Sequence, residues 1–218
     1  MLFVIEGTDG SGKATQAGLL CQAIADKGRP VKKLSFPCYG TPACAPVEQY
    51  LAGAYGSNAG DVNAYAASLF YAVDRFASFK TDWGQFLKEG GIVISDRYTT
   101  SNAVHQCAKL PKDQWDEYLD WLFELEYGKM SLPEPDKVFF LDMPAEVSQK
   151  LMTGRYHGDE AQKDIHEKDV EFMKRSREAA RCCAEKLGWH RIECAVGNMP
   201  RPVEEIAAEV KAEVEKML

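Results

Sequence analysis

The sequence predicts a three-layer α/β fold, a parallel sheet of about five strands with helices on both faces. Three observations predict it. Short apolar runs alternate with segments of helical periodicity along the 218 residues. A glycine-rich turn, Gly7-Thr8-Asp9-Gly10-Ser11-Gly12-Lys13, stands between the first apolar run and the first helical segment. The dipeptide Asp96-Arg97 directly follows another apolar run, Ile92-Val93-Ile94-Ser95. Both residues therefore project from the carboxyl end of the sheet, where open α/β sheets bind ligands.

At 45% apolar residues the chain is long enough for one domain, residues 1–218, with a substantial core. Acidic residues outnumber basic ones, 33 against 26, for a net charge of −7. That balance argues against a general binder of nucleic acid or of anionic membranes. It leaves room for a small anion, which needs only a few local cations and backbone N–H groups. No apolar run nears the ~20 residues that span a bilayer. The strand-like start, Met1-Leu2-Phe3-Val4-Ile5-Glu6, lacks the basic segment of a signal peptide. The seven cysteines form no C-x-x-C pair. Free thiols in a reducing cytoplasm are expected, with no metal site built from them.

The elements follow in order. Residues 2–5 suit a buried parallel strand. Residues 13–28 read as a helix, with Leu19, Leu20 and Ala23 at helical spacing and Gly28 closing it. Residues 31–36 form the second strand, stopped by Pro37, and residues 36–42 a loop at its carboxyl end. Residues 53–60 are a small, polar connection. Asp61 is expected to cap the next helix, which carries Tyr65, Ser68, Leu69, Tyr71, Ala72 and Arg75. Another helix is predicted over 80–89, ending at Gly90-Gly91, and a strand over 92–95. Residues 112–128 read as an amphipathic helix with Trp115, Tyr118, Leu119, Leu122 and Leu125. Pro133-Glu134-Pro135 breaks the chain before the strand at 137–142. A helix over 144–153 leads into the mobile-looking Gly154-Arg155-Tyr156-His157-Gly158. A helix over 164–187, a strand over 189–193 and a helix over 202–217 complete the chain.

The turn at 7–13 has the G-x-x-x-x-G-K spacing of a phosphate-binding loop, in the strand-to-helix context that gives the pattern its meaning. Gly7, Gly10 and Gly12 let backbone N–H groups approach an anion, and the helix that follows points its positive end there. Lys13 supplies a mobile point charge for the outer phosphates. The next position ordinarily carries Ser or Thr to hold Mg²⁺; here it is Ala14. Thr15, rotated about 100° further round the helix, does not replace it. The metal must then rely on phosphate oxygens, water and nearby carboxylates. Asp96 is a candidate for the metal or its waters, and Arg97 for a second phosphate, which its forked donors suit. Together these features define a P-loop NTPase architecture.

The motifs resemble the thymidylate kinase (dTMP kinase) family of P-loop nucleoside monophosphate kinases. The likeness rests on residues 6–16, Phe36-Pro37-Cys38-Tyr39, Leu69-Phe70-Tyr71-Ala72-Val73-Asp74-Arg75, and Asp96-Arg97-Tyr98-Thr99-Thr100-Ser101-Asn102-Ala103. It continues through Leu132-Pro133-Glu134-Pro135-Asp136 and Phe140-Leu141-Asp142 to the segment bearing Asp164, Glu167, Phe172 and Arg175. The resemblance implies ATP-dependent phosphorylation of dTMP to dTDP with Mg²⁺, in a homodimer. It implies ATP contacts along Gly7, Thr8, Asp9, Gly10, Ser11, Gly12, Lys13, Ala14 and Thr15, with Asp9 also near the acceptor sugar and the metal. Phe36 and Tyr39 would border the acceptor nucleotide. Tyr39 stands where several relatives carry Arg, so Arg97 would have to do more on the acceptor phosphate. Arg75 takes the place of an arginine that binds a base carbonyl. Tyr71, four residues earlier on the same helical face, is the expected stacking ring, with Phe70 turned to the core. Ser101 and Asn102 match base-pocket residues, and His105 lies near the sugar without a catalytic role. Residues 154–163 resemble a lid whose Arg155, rather than Lys163, would stabilise the transferred phosphoryl group. Glu167 would hold waters of the magnesium ion. Two alternatives stay open: a kinase for another nucleoside monophosphate, and a catalytically silent nucleotide-binding regulator.

Overall fold

The computed structural model describes residues 1–155 and 169–218, the side chains of 153–155 excepted. Five strands make one parallel sheet: β1 (Leu2–Gly7), β2 (Val31–Ser35), β3 (Ile92–Asp96), β4 (Lys137–Asp142) and β5 (His190–Glu193). Their order is β2-β3-β1-β4-β5. The central strands β1 and β3 are buried along their whole length, which is why they read as unbroken apolar runs. Ile5 pairs with Asp96 and Gly7 with Leu141. This register sets the glycine-rich loop between the carboxyl ends of β3 and β4.

Alternation along each strand divides the core into two layers. On one face Phe3, Ile5, Phe139, Leu141 and Ile192 pack against Leu20 and Ile24 of α1 (Lys13–Ala25) and Ile206, Val210 and Val214 of α9 (Val203–Glu215). On the other face Leu2, Val4, Val93 and Val138 meet Phe36, Trp83 and Tyr98. Further along that face, Phe140 meets Val104 of α5 (Thr99–Cys107) and Ala180 and Ala184 of α8 (Val170–Lys186). Each such side chain taken fully out of water contributes roughly 1.5–3 kcal/mol before conformational entropy is counted.

Several elements differ from the sequence expectation. Helix α3 (Ala64–Ser78) is capped by Asn63, whose side-chain oxygen accepts from the Ala66 N–H at 2.8 Å, and not by Asp61. Asp61 instead accepts from the Asn58 N–H at 2.9 Å and ties the loop to itself. The stretch expected as one helix over 112–128 is a 3₁₀ turn, then α6 (Trp115–Phe123), then a π turn over Glu124–Lys129. A π turn over Phe79–Trp83 likewise precedes α4 (Gly84–Lys88). Helices α2 (Ala45–Leu51) and α5, and a hairpin of β6 (Ala195–Val196) with β7 (Met199–Pro200), were not foreseen. Helix α7 (Ala145–Arg155) runs beyond residue 153. Helix α8 starts at Val170, where the Asp169 side chain accepts from the Phe172 N–H at 2.8 Å. Lys163, Glu167 and most of the expected lid, residues 156–163, lie outside the described residues. All seven cysteines are free, and among the described residues no helix is long and apolar enough to cross a membrane.

Candidate active site

The loop between β1 and α1 is an anion cradle by construction. Gly10 and Gly12 hold φ values of 77° and 91°, which β-carbon-bearing residues rarely adopt. Helix α1 has no side-chain cap, and its first backbone bond runs from the Gln16 N–H to the Gly12 carbonyl at 3.0 Å. The N–H groups of Lys13, Ala14 and Thr15 are therefore left to point out of the helix end, where the macrodipole favours negative charge. Ala14 and Thr15 are exposed beside them.

Lys13 is less mobile than the sequence suggested. It is 7% exposed, and its Nζ donates to the Thr8 carbonyl at 2.9 Å. Burial lowers its pKa and the Arg97 charge lowers it further, while Asp9, Asp96 and Glu6 oppose the shift. An incoming phosphate would act in the same sense as those carboxylates.

Arg97 sits one residue beyond β3 in a left-handed backbone conformation, φ 68°. For a residue with a β-carbon this is strained, and such strain gathers at functional sites. Its Nη2 forms an ion pair with Asp9. Its Nη1 donates to Ser101 Oγ at 3.1 Å and to His105 Nε2 at 3.1 Å. Because a guanidinium only donates, Nε2 must accept, which fixes the neutral His105 tautomer with its proton on Nδ1. Glu6, fully buried, stands 3.5 Å from Nη1. Its Oε1 accepts from the Gly7 N–H at 2.9 Å, and its Oε2 from Thr100 Oγ1 at 2.7 Å and Ser101 Oγ at 2.8 Å. Burial works against the Arg97 charge, but Asp9, Glu6 and Asp96 outweigh it and raise its pKa.

Beside this cluster opens a cleft of about 540 Å³, mouth included. Asp9, Phe36, Tyr39, Tyr71, Arg75, Arg97, Ser101, Asn102 and His105 all line it, so the nine residues assigned to the acceptor nucleotide meet around one space. Leu51, from the unforeseen α2, and Tyr98 and Gln106 add to its wall. Tyr39 is 62% exposed at the rim. Tyr71 packs its edge against Tyr50 with ring centroids 6.4 Å apart, while Phe70 lies half-buried between Tyr50 and Tyr55 instead of in the main core. Arg75 is 1% exposed and engaged by Glu126, a residue that sequence reasoning missed. No periodic or motif signal marks Glu126, because the π turn that aims it inward is invisible to a 3.6-residue pattern.

The donor set for a divalent cation is sparse. Asp96 is 7% exposed and its Oδ1 has no partner among the described residues. It shares the mouth of the loop with Asp9. Among the described residues no group of three or more His, Cys, Asp or Glu is arranged to hold a metal. This fits Mg²⁺, a hard cation that keeps several waters and takes phosphate oxygens with one or two carboxylates. The backbone of Arg155 ends α7; its side chain, like Glu167, lies outside what is described.

A phosphate loop after β1, an Asp-Arg pair at the end of β3, and an adjoining aromatic cleft define a site of the P-loop kinase class. A profile for "Thymidylate kinase" matches residues 5–205. The chain is 34% identical over 178 residues to thymidylate kinase of Mycobacterium tuberculosis (strain ATCC 25618 / H37Rv), covering 81% of this chain and 82% of that one. It is 32% identical over 220 residues to a probable thymidylate kinase of Thermococcus onnurineus (strain NA1), covering 100% and 98%. It is 30% identical over 216 residues to thymidylate kinase of Dictyostelium discoideum, covering 97% and 83%. The chain belongs to the thymidylate kinase family.

Proposed function

We infer that this protein transfers the terminal phosphoryl group of ATP to dTMP, giving ADP and dTDP. The observation that carries the reading is the meeting of Lys13 and Arg97 on Asp9, 3.6 Å from Lys13 Nζ, where the phosphate loop meets the cleft. Lys13 and the loop N–H groups hold the ATP phosphates. Arg97 holds the acceptor phosphate in line with them. Tyr71 stacks on the base, and Arg75 and Asn102 read its edge. The acceptor oxygen is already an anion, so the site needs placement and charge neutralisation more than a general base. Asp9 and Asp96, with Glu167 through water, would hold Mg²⁺, which when bound would neutralise phosphate charge. Arg155 closes over the phosphoryl group and excludes water. Seven free thiols support a reducing, cytoplasmic setting.

A homodimer is part of the same reading. Tyr65, Leu69, Val73 and Phe76, one stripe along α3, are 36–50% exposed. A continuous apolar stripe of this kind is what a two-fold interface covers. Sedimentation of the wild type reads the mass directly.

The deciding experiment is an ADP-release assay with dTMP, dUMP, dCMP and GMP as acceptors. Turnover with dTMP well above dCMP and GMP supports the reading. ATP binding without ADP release on adding dTMP would sink it.

A further inference from the structure

Glu126 is fully buried, and all its acceptor positions face donors. Its Oε2 accepts from Arg75 Nε at 2.7 Å and Thr99 Oγ1 at 2.7 Å. Its Oε1 accepts from Arg75 Nη2 at 2.5 Å and Asn102 Nδ2 at 3.2 Å. The same Asn102 nitrogen reaches the Ser68 carbonyl at 3.2 Å. A carboxylate and a backbone carbonyl can only accept. The Asn102 amide must therefore turn its nitrogen to them. Its Oδ1 is then directed to the cleft that Asn102 lines.

Arg75 is fixed by the same carboxylate. With Nε and Nη2 engaged, Nη1 is the corner left for the cleft; it stands 3.4 Å from the Tyr98 carbonyl. The cleft thus offers one donor and one acceptor, from Arg75 and Asn102. A pyrimidine with a carbonyl beside a ring N–H, such as thymine or uracil, meets both. With the Arg75 donor opposite position 4 of the ring and the Asn102 acceptor opposite position 3, cytosine would set an amino group against a donor and a bare ring nitrogen against an acceptor.

We propose that Glu126 is the positioning residue for base selection: by gripping Arg75 and orienting the Asn102 amide, it admits thymine and rejects cytosine. The proposal rests on the dTMP kinase reading above. Glu126 itself touches no substrate. It acts through the two side chains that do.

The test compares kcat/KM for dTMP and dCMP in wild type and Glu126→Gln. A neutral amide sets an N–H against an Arg75 donor, so the fork is lost and Asn102 is released to turn. The ratio of dTMP to dCMP is expected to fall roughly 100-fold, with dTMP losing and dCMP gaining. Glu126→Asp, which keeps the charge, is expected to retain part of the ratio. A loss shared equally by both substrates would mean a purely structural role and overturn the proposal. Should Glu126→Gln not fold, wild-type protein labelled with ¹⁵N-asparagine carries the test. The Asn102 side-chain N–H signals are expected to exchange slowly and move little on adding dTMP. A large shift there would show the nitrogen facing the base and overturn the proposal. Wild type that turned over no dTMP would end the kinase reading first, and the amide signals would still decide the orientation.

Discussion

Arg97, just beyond β3, and Asp9, in the phosphate loop, form a salt bridge that joins the aromatic cleft to the loop. The same Asp9 oxygen lies 3.6 Å from Lys13 Nζ. One carboxylate thus keeps two cations in register although their side chains arise 84 residues apart, at positions 13 and 97. Two like charges this close repel, and the lowered Lys13 pKa carries that signature alongside burial. In the proposed reaction, phosphates bound on either side would relieve that repulsion.

Arg97 combines a functional side chain with a strained backbone, which lets the two be separated. Arg97→Ala and Arg97→Gly both remove the acceptor clamp, and kcat/KM for dTMP is expected to drop at least about 100-fold in each. They should differ in stability. At φ 68° a β-carbon is costly, so the glycine variant is expected to be about 1 kcal/mol more stable than the alanine variant in urea denaturation. Full dTMP activity in either variant would remove Arg97 from the acceptor site.

The phosphate loop gives a second contrast. A β-carbon on Gly10 would stand 2.8 Å from the Ser148 carbonyl and 3.0 Å from Met152 Cγ, both on α7. A β-carbon on Gly12 would meet nothing within 4 Å. Both substitutions to alanine carry the left-handed backbone cost of about 1–2 kcal/mol. Only Gly10→Ala must also push the loop away from α7. Without nucleotide, Gly10→Ala is expected to lower the melting temperature more than Gly12→Ala; equal losses would mean that α7 yields freely.

The sheet was legible because β1, β3 and β4 are apolar runs whose burial leaves no polar side to confuse the period. The phosphate loop was legible because its backbone demands glycine at fixed places. Helix α5 was not, since it opens on Thr99-Thr100-Ser101-Asn102, residues of weak helix propensity chosen here for the hydrogen bonds they make to Glu6 and Glu126. Glu126 escaped for a related reason: its role is set by partners 51 residues away at Arg75 and 24 at Asn102, not by local pattern. Asn63 outcompeted Asp61 as the cap because Asp61 already had a local loop donor.

Asp142 closes β4 with its side chain 1% exposed, and Arg177, Arg181 and Arg191 each place Nε 2.7 Å from it. Burial alone would raise its pKa, but the hydrogen bonds from Arg181 and Arg177 win and lower it below 3.8. A depressed carboxylate contributes stability in full above its unfolded pKa and loses it as pH falls through the folded value. Asp142→Asn leaves three guanidiniums around a neutral group. It is expected to cost about 3 kcal/mol at neutral pH, the lower end of the range for breaking a buried pair because the arginines are partly exposed. The variant should also lose less stability than wild type as pH falls below 3.8. Parallel curves would show that Asp142 is not held ionised by its arginines.

Lys109 offers the opposite sign. Its Nζ donates to Tyr50 Oη at 2.8 Å and the Val62 carbonyl at 3.0 Å, and lies 5.0 Å from the Tyr50 ring centroid. Neither oxygen partner is a carboxylate, and burial pushes its pKa down to about 7 from 10.5. Between those values the unfolded chain holds a proton there that the folded chain has released, so folding gains stability as pH rises from about 7 toward 10.5. The slope from this one group is at most about 1.4 kcal/mol per pH unit. Lys109→Met removes it, while other groups titrating in the window remain in both proteins. Urea denaturation at pH 7, 8 and 9 should therefore give a flatter stability profile for the variant, whatever the offset from its lost hydrogen bonds. Equal slopes would mean that Lys109 keeps an ordinary ammonium pKa. The position matters to the site because Tyr50, the ring beneath Lys109, packs on Tyr71 at the wall of the acceptor cleft. If that packing carries the effect, Lys109→Met is expected to raise KM for dTMP more than it lowers kcat.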